Sequence, residues 1–324
     1  DEDIQGVEKA KEIIENDPSL ANLLNEERFV GPADRSANYG ITKWRDMYSP
    51  RQLLVHYTYW QIFEDEKSNI QNEYPDPEAN AIITFLAIAG DKAISYNCVQ
   101  SRWDSSVPKL TQIFDRHDFS FKWSFAESNL PAEGLGYEWV LDNTIGAYED
   151  LHDLSSGSDA PTNVLQEDAA DLSLDNEEVQ AIVLDPPYYD NVMYSELSDF
   201  FYVWLKKYLG DIYPEFFQQE LTDKHEEAIA NQAKFEDVAS GDTSKRELAK
   251  QDYENKMTEI FDEMYRVLDD DGVFTLMFTH KKTEAWDTLT KALINAGFSV
   301  KSTHPISTES QLSLHQAGKN AAES

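Results

Sequence analysis

Four residues at the end of an apolar run have types and an order that could do chemistry. Asp185-Pro186-Pro187-Tyr188 follows "AIVL" at Ala181–Leu184. Two successive prolines fix two φ angles and remove two N–H donors. The Pro186 carbonyl is then left as an acceptor beside a second acceptor, the Asp185 carboxylate. Two such oxygens suit a planar amino group, each taking one N–H. Drawing those hydrogens away raises the electron density on a conjugated nitrogen as it attacks an electrophile. Tyr188 adds a face on which a flipped base can stack. A carboxylate working only as an acceptor needs no shifted pKa, so no general base has to be found. The plain alternative for the same four residues is a strand-ending turn. Tyr189, Asn191 and Tyr194 follow closely enough to line a base pocket, although Tyr194 serves equally well as the first core residue of a helix.

The elements that must hold this tetrapeptide can be read on either side of it. "VQAIVLDPPYYDN" reads as a buried strand and loop. A helix over about Ser195 to Leu209 repeats Phe200, Phe201, Tyr202 and Trp204 at core spacing. "TNVLQEDAADL", "VFTLMFTHK" and "FSVKSTHPI" read as further strands. "QDYENKMTEIFDEMYRVLDDDG" reads as a helix with Met257, Ile260, Met264 and Leu268 on one face, stopping at Gly272, and "EAWDTLTKALINAG" as another. Strands alternating with helices predict an α/β fold with a parallel, doubly wound sheet. Ligands of such sheets sit beyond the carboxyl ends of the strands, where Asp185 falls.

Residues 1–155 read instead as a mainly helical region, with 156–324 as the α/β core. One or two amphipathic helices open it. Ser49 reads as an N-cap with Pro50 at the first helical position, leading into a helix that buries Leu53, Leu54, Tyr57 and Phe63. A second long helix carries Ile82, Phe85, Ile88 and Ala89. Residues 101–136 interleave Trp103, Trp123 and Phe125 with Arg102, Lys109, Arg116 and Lys122; packing of Trp with surface Arg is the first reading and contact with DNA the second. "SSGSDAP" reads as a linker, and about 211–250 as an acidic, solvated, mobile insertion.

Composition sets outer bounds. The 324 residues hold 27 basic and 61 acidic side chains, a formal charge of −34, yet 41% are hydrophobic, with sixteen Tyr, sixteen Phe and seven Trp. Disordered chains are poor in aromatics, so the acid excess reads as the surface of a folded protein suited to molar salt, where the Debye length falls to roughly 3 Å. Net charge therefore does not exclude a nucleic-acid partner. Phosphate contacts weaken with salt, so such a partner would be held by stacking, shape and local basic patches. The single cysteine, Cys98, excludes a disulfide framework within the chain and a four-cysteine zinc site, and reads as a small buried hydrophobe. His280 and His304 have no partner at ligand spacing, so no metal is expected. No apolar run approaches the ~18 residues of a membrane span, so no membrane partner and a cytoplasmic location are expected.

The longer string "DPPYYDNVMYSELSDFFYVWLKKYLGD" resembles large archaeal and bacterial adenine-specific DNA methylases that carry a DUF1156 region, some found in phage-defence islands. The resemblance takes in "YGITKWRDMYSPRQLL" upstream and "EMYRVLDDDGVFTLMFTHKKTEAWDTLTKALINAGFSVKSTHPISTE" downstream, and so covers most of the chain. It implies an incomplete Rossmann-like methyltransferase sheet, S-adenosyl-L-methionine as cofactor and DNA as partner, with Asp185, Pro186, Pro187 and Tyr188 catalytic. By matching, Asp168 and Ala169 at the end of "TNVLQEDA" would meet the cofactor's adenine. Ser49 and Pro50 would lie near its methionine end, at a helix N-terminus that favours a carboxylate. The family's Gly-rich cofactor loop and the zinc-ribbon cysteines of some members are absent. The last family strand stops after "QLSLHQAGKNAAES". The resemblance thus implies a central and C-terminal fragment, with the first strands missing and the loop supplied by another chain or by preceding sequence. N4-cytosine or RNA base methylation uses the same tetrapeptide. A non-catalytic DNA-binding or scaffolding piece of a defence complex is the reading from another class.

Overall fold

The computed structural model describes residues 2–31, 34–134, 136–157, 160–235 and 244–306. The chain divides into two compact units. One is Asp1–Ala160 with Ser195–Thr222, the other Pro161–Tyr194 with Asp223–Ser324. The helix after the tetrapeptide thus groups with the N-terminal helices, whereas a division at residue 155 had put it in the α/β part.

The first unit is helical because its apolar residues recur at helical spacing, and two of its helices start on side-chain caps. Helices α1 (Glu2–Asn16) and α2 (Pro18–Asn22) are separated by Asp17, whose carboxylate accepts the N–H groups of Ser19 and Leu20. Helix α3 (Pro50–Glu73) starts as its sequence requires. The Ser49 hydroxyl accepts the Gln52 N–H while the Gln52 side chain accepts the Ser49 N–H, a reciprocal cap. Leu53, Tyr57 and Phe63 are buried, and Leu54 is half-buried. Helix α4 (Asp76–Tyr96) buries Ile83, Ala87, Ala89, Ala93 and Ile94, while Ile88 is exposed; its buried face is rotated from the expected one. A small antiparallel pair, β1 (Arg102–Asp104) and β2 (Lys109–Thr111), precedes α5 (Tyr137–Ser155). Helix α6 (Tyr194–Leu209) buries Phe200, Trp204 and Tyr208 fully. The Trp204 Nε1–H donates to the Tyr48 hydroxyl at 2.9 Å, and Lys67 Nζ donates to the Tyr208 carbonyl at 2.9 Å. Those bonds, 156 and 141 residues apart in sequence, tie α6 into this unit. Cys98 is fully buried.

The second unit is built on one parallel pair, β3 (Val179–Leu184) and β4 (Leu268–Leu276), in register Ile182 with Phe274 and Leu184 with Leu276. Helices α7 (Lys245–Val267) and α8 (Thr283–Asn295) pack with it. Tyr253, Met257, Phe261, Ala285, Leu289 and Ala292 form the core, against which Leu184, Phe274 and Leu276 pack. Val183 and Val273 on the other face are 71% and 62% exposed. The unit is mixed α/β, but the described residues contain only these two strands of the expected sheet.

Three expected element boundaries are corrected. Residues 162–167 are exposed and form no strand, with Val164 91% exposed. Only an isolated bridge between Asp168 and Asp171 follows, because no neighbouring strand satisfies the backbone. Residues 298–306 form no strand either, although Phe298 stacks on Phe274 at 4.7 Å. Helix α7 ends at Val267, five residues before Gly272, because Leu268 already pairs with Val179. Pairing with β3 outweighs the glycine stop. In the acidic insertion, Ala228, Ile229, Ala230 and Asn231 are buried rather than solvated. Residues 236–243 of that insertion and "QLSLHQAGKNAAES" at 311–324 lie outside the described residues.

Candidate functional site at the end of the parallel pair

Strand β3 carries the tetrapeptide to the carboxyl end of the pair, and the Met277 N–H donates to the Leu184 carbonyl at 2.9 Å, so pairing persists up to Asp185. Beyond it the prolines end the ladder. Asp185 is exposed and Pro186 is buried. Neither the Asp185 carboxylate nor the Pro186 carbonyl accepts a hydrogen bond among the described residues. The Pro187 carbonyl, by contrast, accepts the Tyr189 N–H at 3.0 Å and the Tyr253 hydroxyl at 3.2 Å. The two oxygens expected to receive an amino group thus accept no other hydrogen bond among the described residues, although Pro186 itself is buried, and the third is used to hold the loop.

Tyr188 is half-buried and meets Phe278, just past β4, edge-on at 5.8 Å. Tyr194 is 40% exposed; burial first, and the Asp185 carboxylate second, raise its phenol pKa. Its hydroxyl also hydrogen-bonds the Tyr188 backbone. Asp185, Tyr188 and Tyr194 are therefore brought together. Asn191 is exposed, and its N–H donates to the Tyr188 carbonyl to close the turn.

Tyr189 departs from the expected role of pocket lining. It is 3% exposed, its φ is +54°, and its ring packs edge-on against Tyr253 at 5.1 Å and His280 at 5.6 Å. A left-handed backbone on a bulky residue costs about 1–3 kcal/mol and persists only where the surroundings impose it. Here the Tyr189 carbonyl accepts the Ala230 N–H at 2.9 Å while the ring fills the core. Tyr189 anchors the loop and does not face a ligand. Burial raises its hydroxyl to about 12.

Asp190, His280 and Lys282 complete the support. The Lys282 N–H donates to His280 Nδ1 at 3.1 Å, so the imidazole proton sits on Nε2 and is donated to Asp190 Oδ1 at 3.2 Å. Lys282 Nζ pairs with Asp190 Oδ2. Burial works to raise the Asp190 pKa, but the hydrogen bonds from His280 and Lys282 outweigh it and leave the carboxyl below its usual value. These residues, with Tyr253, went unrecognised in the sequence. The one signal available was a histidine just past a strand end, next to the chemistry rather than next to a metal.

The residues matched to a cofactor fall in two different units. Asp168 is exposed, and its carboxylate accepts the Ala170 N–H at 2.9 Å within its own turn, with Ala169 half-buried beside it. Ser49 and Pro50 belong to the other unit. There Ser49 Oγ donates to Glu127 Oε1 at 3.1 Å, and Arg51 pairs with Glu127 at 2.5 Å. The carboxylate that the α3 N-terminus favours is already supplied by Glu127.

Fold and site together describe a mixed α/β protein whose parallel strand ends in two oxygen acceptors that make no hydrogen bond among the described residues, beside a half-buried phenol. No protein-family model matches the chain, no curated protein is similar to it, and no solved structure matches it.

Proposed function

We propose that the chain carries the amine-binding half of a DNA adenine-N6 methyltransferase with a Rossmann-like core, acting on a base flipped out of the duplex. The observation that carries the reading is that the Asp185 carboxylate and the Pro186 carbonyl, at the carboxyl end of β3, accept no hydrogen bond among the described residues. Asp185 and Pro186 take one N–H each, Pro187 keeps the backbone between them stiff, and Tyr188 stacks on the base, with Tyr194 at the rim. S-adenosyl-L-methionine supplies the methyl group. Asp168 and Ala169 remain the candidates for its adenine, and Ser49 contacts it only if Glu127 gives way. The Gly-rich loop that such a cofactor site would use is not found in the sequence.

That missing loop favours one second reading, a DNA-binding or scaffolding part of a defence complex that needs another chain for catalysis. Calorimetric titration with S-adenosyl-L-methionine in molar KCl, together with tritiated-methyl transfer to duplex DNA, tests both. Heat and label in N6-methyladenine support the first; no heat and no label leave the second, and label in N4-methylcytosine or in RNA reassigns the substrate.

A further inference from the structure

A second cluster of rings, in the helical unit, stands open to solvent and takes no part in the site above. Tyr39 stacks on Phe121 with centroids 4.0 Å apart and planes 13° from parallel. Trp123 stands edge-on to both, at 5.1 Å from Phe121 and 6.0 Å from Tyr39. Tyr39 is 55% and Trp123 87% exposed. Trp123 therefore packs as a surface ring and not as a core one, and its indole face is wet.

The mounting beneath the rings is stiff. Tyr39 ends a short 3₁₀ turn (Ser36–Tyr39) closed by Gly40 at φ +87°. The Asp34 backbone bridges Phe119, and the Arg35 N–H donates to the Phe119 carbonyl at 3.1 Å. Under this bridge the buried Arg28 pairs with Asp34 and lies 4.6 Å from the Phe119 ring centroid. The cluster is thus held in place before any ligand arrives, which lowers the ordering cost of binding.

Local charge decides what such a face would accept. A cationic ligand can sit on ring faces alone, but free carboxylates in the same segment would strengthen it. The three acids between residues 102 and 123 each sit in an ion pair: Asp104 with Arg102, Asp115 with Arg102 and Lys122, and Asp118 with Arg116. Arg35 is exposed and forms no ion pair among the described residues, and its backbone lies beside Phe119. Stacking surface plus one uncommitted guanidinium fits a planar, anionic ligand class, the unpaired nucleotide. Stacking is also the contact that survives salt, whereas phosphate contacts do not.

We infer that Tyr39, Phe121 and Trp123 form a nucleobase-stacking platform for a single-stranded segment of nucleic acid, with Arg35 on its phosphate. This platform does not depend on methyl transfer, and its test reads binding alone. Fluorescence anisotropy of an end-labelled twelve-nucleotide DNA strand would be followed with the full chain from 0.1 to 2 M KCl. Base–aromatic stacking of about 1–3 kcal/mol corresponds to a loss of about 5- to 150-fold in affinity for Trp123→Ala or Tyr39→Ala. Trp123→Phe, which keeps a ring, should recover most of it. Arg35→Ala should make the slope of log affinity against log salt shallower by about 0.7, the share of one phosphate. Leu154→Ala, at an exposed position on α5 with no part in either site, should bind the strand as the parent does. Absence of strand binding by the parent overturns the platform, as does unchanged binding by Trp123→Ala and Tyr39→Ala with melting curves that match the parent. Loss of binding of a protein partner alone in these variants assigns the rings to a protein interface instead and also overturns it.

Discussion

The His280 imidazole donates its Nε2 proton to the Asp190 carboxylate at 3.2 Å, joining the segment just past β4 to the turn that follows Tyr188 across 90 residues of sequence. His280 is 5% exposed and its ring also packs on Tyr189. Asp190→Ala leaves a buried N–H without a partner, a loss of about 1–3 kcal/mol. The expected result is a lower unfolding midpoint in urea and, on the proposed methyl transfer, a fall in kcat larger than any change in KM, because the loop that carries Asp185 loosens while the groups proposed to meet the base remain. Asp190→Asn, which keeps one oxygen to accept the His280 Nε2–H, should restore part of both. Equal loss of stability with unchanged kcat would show that the pair only holds the fold.

Asp185 is exposed and accepts no hydrogen bond among the described residues, so Asp185→Asn should leave thermal unfolding within about 0.5 kcal/mol of the parent. Removing one preorganised hydrogen-bond partner from a site of developing charge costs about 10²–10³ in kcat. Tritiated-methyl incorporation should fall by that factor in Asp185→Asn, with cofactor affinity unchanged. Full activity in this variant would end the two-acceptor reading.

Tyr189 and Asn191 flank the same turn, yet their substitutions should separate cleanly. Tyr189→Ala removes a ring that is 3% exposed from the core cluster, and truncation of a buried aromatic costs about 3–5 kcal/mol. Asn191→Ala at an exposed position, where the backbone N–H makes the turn's hydrogen bond, should cost less than about 0.5 kcal/mol. Urea unfolding of both variants checks this, and similar values for the two would refute the anchoring role of Tyr189.

Two buried groups of the helical unit should bend the pH dependence of stability in opposite directions. His56, between the Asn97 carbonyl at 3.0 Å and the Tyr137 hydroxyl at 3.2 Å, is lowered by burial from 6.5 to about 4. The folded state then binds this proton less well than the unfolded state, so stability is present above pH 6.5 and is lost as pH falls toward 4, by about 3 kcal/mol at roughly 1.4 kcal/mol per pH unit. Asp91 is buried, and burial raises its carboxyl well above 3.8. Here the folded state holds the proton more tightly, so stability is lost as pH rises above 3.8. Relative to the parent, His56→Gln should gain stability as pH falls below 6.5, and Asp91→Asn should gain it as pH rises above 3.8. Unfolding free energies measured from pH 4 to 8 on all three proteins give the two difference curves. Parallel curves would contradict the burial of either group.

Local order wrote a good part of this protein into its sequence. The Ser49 cap with Pro50, the span of α6, the core positions of Phe200 and Trp204, and an acid-proline-proline-tyrosine run leaving a strand are all short-range features, set by φ restriction, missing donors and helical repeat. Tertiary structure decided what those cues could not reach. Leu268 became strand because Val179 paired with it, whereas residues 162–167 and 298–306, with comparable apolar content, stayed unpaired. Tyr189 turned inward because Tyr253 and Ala230 fix its left-handed backbone, and α6 joined the N-terminal helices through Tyr48 and Lys67. Asp190 met His280 only because parallel strands bring their carboxyl ends side by side. In each case the deciding partner lies tens of residues or more away, and the energy of that contact outweighs the local preference.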